Sequence, residues 1–236
     1  MKKKSLEYVL YGILICLSLF LIGYGILSTS WGHSMIMNHF IAESMQTDQA
    51  KELERNQKKQ TSFNAKVVQP VTTQNLLRAY NNSKDVIGFM SIPSQKIKNP
   101  IFNGYGVNGD NILYGVATMK PNQEMGQRNY ALAGHYMNNN TVFHNLHKVK
   151  KGAAVYLTDL HLIYKYRIVD KVGKLAPSKV SVINDKPFGS QLTMITCADY
   201  DKGIVQGSMR TMVRGELSGT EPVTKQRLKK CNLTIE

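Results

Sequence analysis

Cysteine, acid and tryptophan are all scarce in this sequence, and each shortage narrows what the protein can be. Cys16, Cys197 and Cys231 are its only cysteines among 236 residues. Cys16 lies in an apolar N-terminal run, so at most one pair remains in the polar part of the chain. That excludes a disulfide framework. No two cysteines are close in sequence, which argues against a cysteine-rich metal site. Asp and Glu number 16 against 30 Lys and Arg, a formal net charge of +14. The excess attracts the protein to an anionic surface, membrane or polyanion, or else simply solvates it. No basic run is interleaved with aromatics, and no zinc-finger or RNA-binding motif occurs, so nucleic acid is not expected as a partner.

Charge is missing altogether from residues 8–27, "YVLYGILICLSLFLIGYGIL". A helix of that length spans about 30 Å, the thickness of a bilayer core. Lys2, Lys3 and Lys4 precede it, so the positive-inside rule places residues 1–7 in the cytoplasm and the rest outside. Trp31 suits an interfacial position. A cleaved signal peptide is the competing reading. The apolar run exceeds the usual signal length, and Ser28-Thr29-Ser30 is not a clear cleavage site, which favours an uncleaved anchor. The expected location is the cell membrane, with a single pass and an extracellular domain.

Residues 28–66 are polar and charge-mixed, without a lasting apolar stripe, and read as a stalk or a loose helix. "TTQNLLRAYNNS" predicts a short helix capped by Thr72 or Thr73, with Leu76, Leu77 and Tyr80 on one face. From Val86 the texture changes. "VIGFMSIP", "KIKNPIF", "NILYGVATM", "NYALAGHYM", "AAVYLTD", "LIYKYRIVDKV", "QLTMITC" and "MRTMVRGEL" are eight short β-rich runs separated by turn residues. They predict an all-β barrel or sandwich. "TVFHNLHKV" predicts a short crossing helix. Residues 219–236 lack a pattern and read as a mobile tail.

In "LTMITC", alternation places Thr193, Ile195 and Cys197 on one side of a strand and Met194 and Thr196 on the other. Cys197 ends that strand. A free cysteine is often only a small buried hydrophobe, and the strand alone leaves that choice open. In "LAGHYM", Ala133 and His135 share a face, and Gly134 permits close approach of a neighbour. His144, His147 and His161 sit in polar or helical settings. In "RTMVRGEL", Arg210, Met212 and Arg214 share a face. Either arginine is a solvated edge charge or a stabiliser of a developing oxyanion.

Taken together, these residues resemble the class A sortases, membrane-anchored transpeptidases of Gram-positive surfaces. "TMITC" is similar to the family's T-L-x-T-C signature, with Met194 in place of the usual Leu. "ALAGH" resembles its histidine motif, and "RTMVRGEL" its final-strand pattern. The order and spacing of the three are specific. The resemblance implies an eight-stranded sortase-type β-barrel as a catalytic domain over residues 67–218. It also implies a catalytic trio of His135, Cys197 and Arg210. Ala133, Val182 and Ile195 would line the groove for a sorting signal, with Thr196 beside the nucleophile. The implied chemistry is attack by the Cys197 thiolate on the Thr–Gly carbonyl of an L-P-x-T-G signal, with protonation of the leaving amine by His135. An amine on the peptidoglycan precursor lipid II would then take the acyl group. The implied partners are LPxTG-bearing surface proteins, lipid II and the membrane.

Some family members bind calcium through acids on two loops. The matching loop "KPNQEMGQRN" offers Lys120, Gln123 and Gln127 instead, with Asp185 on the other loop. A hard cation needs mainly anionic oxygen ligands, so no cofactor and no calcium site are expected. Neither an Asp-Pro lid motif nor a second apolar span, the marks of pilin-polymerising sortases, is present. Two rivals remain. One is a cysteine peptidase hydrolysing wall peptides, though papain-like and amidase folds place Cys before His. The other is a non-catalytic anchored β-domain that binds wall components and buries Cys197.

Overall fold

A computed structural model describes residues 2–46, 50–80, 85–137, 139–197 and 209–233. All eight β-rich runs form strands: β1 (Val86–Ile92), β2 (Ile97–Phe102), β3 (Val116–Thr118), β4 (Asn129–Gly134), β5 (Ala154–Thr158), β6 (Leu162–Leu175), β7 (Gln191–Cys197) and β8 (Arg210–Pro222). They close into a barrel in the order β1-β2-β3-β4-β7-β8-β6-β5. The closure leaves no edge of the sheet exposed to chance pairing. The fold is therefore the eight-stranded barrel, not the sandwich. Most neighbours are antiparallel, but β2 and β3 run parallel, as do β4 and β7, and the latter pair positions the site.

Phe89, Phe102, Leu132, Leu157, Leu192 and Val213 are fully buried in the interior. Each such side chain removed from water stabilises the fold by about 1.5–3 kcal/mol. "TVFHNLHKV" does not form the expected helix; it holds one turn of 3-10 helix at Leu146–Lys148. Asn139, Asn140 and Val142 all adopt positive φ, a conformation that no regular helix can pass through.

The segment expected as a stalk is built onto the barrel. It forms α2 (Ser30–Ser44) and α3 (Ala50–Gln57), following the apolar helix α1 (Lys2–Leu27). Thr29 caps α2, its Oγ1 accepting from Gly32 N at 3.1 Å. Met37, Ile41 and Met45, four residues apart, form a stripe that joins the core, as does Leu53 of α3. Asn56 Nδ2 donates to Val86 O at 2.9 Å, fixing α3 to the start of β1.

Of the helix expected at residues 72–83, α4 (Thr73–Tyr80) forms, with Asn75 N donating to Thr72 Oγ1 at 3.1 Å, and residues 81–83 lie outside the described residues. Its buried residues are Leu76 and Ala79, whereas Leu77 and Tyr80 are exposed. The helix docks along one narrow line, and Leu77 lies 100° round from Leu76. The C-terminal residues also depart from the expected tail. β8 continues to Pro222, and α5 (Lys225–Lys230) follows, capped by Thr224. Leu228, Cys231 and Leu233 are buried, and Ser91 Oγ donates to Cys231 O.

Candidate active site

The site is built by strand register. β4 and β7 pair in parallel up to Ala133 opposite Ile195. His135 and Cys197 each lie two residues beyond that pair, at the same end of neighbouring strands. On the other flank of β7, antiparallel β8 sets Arg210 directly opposite Cys197. Residues so paired have Cα atoms about 4.5–5.5 Å apart, so a thiol and a guanidinium occupy one patch at the strand end. Thiol, imidazole and guanidinium thus come from the neighbouring strands β7, β4 and β8.

His135 is held by its backbone, while its ring nitrogen Nε2 is left without a hydrogen bond among the described residues. Phe143 N donates to His135 O at 3.3 Å, and Tyr136 bridges to Val142. Gly134 makes this return possible. A Cβ there would lie 2.7 Å from Phe143 Cδ2 and 2.9 Å from Val142 Cγ1. His135 Nε2 is enclosed, without a hydrogen-bond partner among the described residues. Burial pulls the imidazole pKa down to about 4, although the residue as a whole is only half-buried. At neutral pH the ring is therefore uncharged in the resting protein.

Cys197 is half-buried, at the rim rather than in the core. That is the accessibility a nucleophile needs and a structural thiol does not. Thr196, just before it, points inward and is 3% exposed. Its Oγ1 has no hydrogen-bond partner among the described residues. Arg210 is half-buried, and its Nη1 donates to Met209 O at 3.0 Å. Arg214 is not the freely solvated alternative: it pairs with Asp170 at 2.7 Å and stands opposite Thr193.

The groove residues fall into two groups. Ala133 and Ile195 are paired partners beside the trio, with Ile195 8% exposed. Ala133 packs against the cluster of Tyr105, Ile112 and Ala117, which Val67 and Val68 also join. Val182 sits in a 3-10 turn, Val180–Ile183, between β6 and β7. Its carbonyl accepts from Asn129 Nδ2 at 3.0 Å, at the end of β4 remote from His135.

Asn129 organises that loop and was not singled out from the sequence. Its Nδ2 also donates to Asn184 O at 3.0 Å, and its Oδ1 accepts from Thr193 Oγ1 at 2.8 Å. Gln191 Nε2 donates to Thr193 Oγ1 at 3.0 Å. Three polar side chains on buried strand positions are the only sequence-level signal of this network. Next to it, Lys120 pairs with Asp185, whose Oδ1 also accepts from Asn129 N at 3.2 Å. The ammonium holds the Asp185 carboxyl below its usual pKa. Among the described residues, no three His, Cys, Asp or Glu side chains converge to hold a metal ion.

Residues 90–218 match the family described as Sortase domain. The chain is 38% identical over 198 residues to sortase A of Streptococcus agalactiae, covering 78% of this chain and 77% of that one. The chain belongs to the sortase family, in its class A. This class A sortase is also similar to sortase A of Listeria monocytogenes, at 34% identity over 231 residues and 96% of each chain. The solved structure of Listeria monocytogenes sortase A has a TM-score of 0.57 and 36% identity, covering 63% of this sortase and 98% of that chain. This sortase is thus a cysteine transpeptidase of the cell wall, and neither a wall-peptide hydrolase of another fold nor a merely adhesive β-domain.

Proposed function

We propose that this sortase cleaves an L-P-x-T-G sorting signal between Thr and Gly and joins the surface protein to an amine of lipid II. The observation that carries the reading is the register that sets Cys197 opposite Arg210 and in step with His135. Cys197 Sγ, as thiolate, attacks the Thr carbonyl carbon and forms a C–S bond. The charge that develops on the carbonyl oxygen lies beside the Arg210 guanidinium, which stays protonated and offers forked donors. The C–N bond then breaks, and His135, as imidazolium, gives its proton to the departing Gly amine. In the second half, the acceptor amine attacks the thioester. His135 takes the proton back, and the thiolate leaves. Thiolate and imidazolium are a minority, coupled state of the resting pair, which fits an imidazole that burial keeps neutral.

Ala133, Ile195 and Val182 line the signal's path, and Thr196 braces the nucleophile's strand. The anchor is α1, whose span Glu7–Leu27 has a mean hydropathy of 2.3 and no burial against the rest of the protein. Its N-terminus is cytoplasmic and the catalytic domain extracellular, as the preceding lysines direct. The reaction runs without calcium, because the Lys120 ammonium already neutralises Asp185. The test is mass spectrometry of the protein incubated with an LPxTG peptide and a glycine or alanine amine. A Thr-amine ligation product supports the reading. Cleavage elsewhere in the peptide, or water as the only acceptor, overturns it.

A further inference from the structure

The outer end of α1 is joined to the catalytic domain by specific contacts. Thr73 Oγ1, at the start of α4, donates to the carbonyl of Leu27, the last residue of α1, at 3.2 Å. His33 Nε2 of α2 lies 3.1 Å from the same Oγ1. Gly32 brings the two helices together. A Cβ there would lie 2.4 Å from Ile26 O and 2.7 Å from Leu27 Cα, so any side chain would strike the α1 backbone. α2 then buries Met37 and Ile41 in the core, and the Phe40 ring lies tilted against Tyr80 of α4 with ring centroids 4.3 Å apart. From anchor to barrel, the chain is braced rather than tethered.

Around this junction apolar side chains face outward. Trp31 is 53% exposed, Met35 51% and Leu77 60%. Trp31 and Met35 stand four residues apart on α2, on one stripe that begins at the α1 junction. Leu77 stands four residues after Thr73 and so shares the α4 face that meets Leu27. We propose that these three residues dock the catalytic domain onto the outer surface of the bilayer, inserted at headgroup level around the exit of α1. The occupant follows from continuity: the patch begins where the membrane-spanning helix ends. Apolar side chains gain by leaving water there, and tryptophan favours that layer. The docking holds the active site at a fixed height and orientation over the lipid surface. The inference rests on reading α1 as spanning the membrane.

Trp31 is the only tryptophan, which supplies the test. The full chain is reconstituted in phosphatidylcholine vesicles with or without bromine-labelled acyl chains, which quench tryptophan by contact. Two single-tryptophan proteins are compared, Trp31→Phe with Leu77→Trp and Trp31→Phe with Phe188→Trp. Phe188 is 91% exposed and lies in the loop before β7, outside α1, α2 and α4. The expected result is at least about twofold quenching at position 77, since docked side chains reach the acyl boundary. Position 188 should be unaffected. Equal, weak quenching at both positions in vesicle-bound protein overturns the docking and leaves a tether. Emission at position 77 that changes with protein density but not with bromine points to a second copy on the patch and also overturns it. Failure of the protein to float with vesicles overturns the anchor reading itself.

Discussion

Arg210 stands directly across the β7–β8 ladder from Cys197, whereas Arg214 stands across from Thr193 and is engaged with Asp170. Along β8 the two arginines are four positions apart, about 13 Å, so only Arg210 is placed to reach an oxyanion on the Cys197 adduct. Loss of one charged donor costs about 3 kcal/mol, or roughly a hundredfold in rate. Arg210→Ala should lose at least that in kcat/KM, and Arg210→Lys should recover little, because an ammonium lacks the planar fork. Arg214→Ala should stay within a few-fold of the unmodified enzyme, since it loses a half-exposed ion pair. Assays of the three variants on one sorting-signal peptide decide this. A crippled Arg214→Ala beside an active Arg210→Ala contradicts it.

His135 predicts a pH signature in stability as well as in rate. Its folded pKa is about 4, below the ordinary 6.5, so between those values the unfolded chain binds the extra proton. Stability from this group is full above pH 6.5 and is lost as pH falls toward 4. His135→Gln should flatten that part of the stability curve while abolishing transpeptidation. Urea melts at pH 7 and pH 4.5 measure it. An unchanged difference between the two pH values would show that His135 is not the buried titrating group.

The strands were legible because they depend on local pattern, and so was the placing of the three candidate residues at or beside strand ends. Alternating apolar residues between turn residues mark each strand; Cys197 and Arg210 sit at strand ends and His135 one residue past the end of β4. The docked N-terminal helices were not legible. Met37, Ile41 and Met45 form a stripe one residue wide, lost among polar neighbours, and only the barrel wall gives it a surface to bury. The C-terminal residues hide for the same reason, since Leu228, Cys231 and Leu233 have meaning only against β1 and its neighbours. Asn129 is a long-range case: its partners Val182, Asn184 and Thr193 are more than fifty residues away, beyond any window of sequence pattern.

Cys231 therefore has a structural role where a tail residue would have none. It is buried, and burial raises its thiol pKa, so it is a poor nucleophile. Cys231→Ala should keep full transpeptidase activity and lose about 1 kcal/mol of stability. Thermal melts and peptide assays on the same preparation check both halves. Loss of activity in a folded Cys231→Ala protein contradicts the assignment.

Calcium should change nothing. Lys120 occupies Asp185, and the neighbouring cavity of about 210 Å³ is lined by Arg128 as well as Glu124 and Gln127. Turnover in millimolar calcium should equal turnover in chelator. A several-fold rise with calcium would show that the two loops rearrange into a cation site.

The most direct test of the central claim is intact-protein and peptide-mapping mass spectrometry of the acyl-enzyme, quenched in acid after mixing with an LPxTG peptide and no amine. The expected result is one adduct, ending at the signal's Thr, on the peptide that contains Cys197, and no adduct in Cys197→Ala. Adduct on Cys231, or turnover by Cys197→Ala, would contradict it.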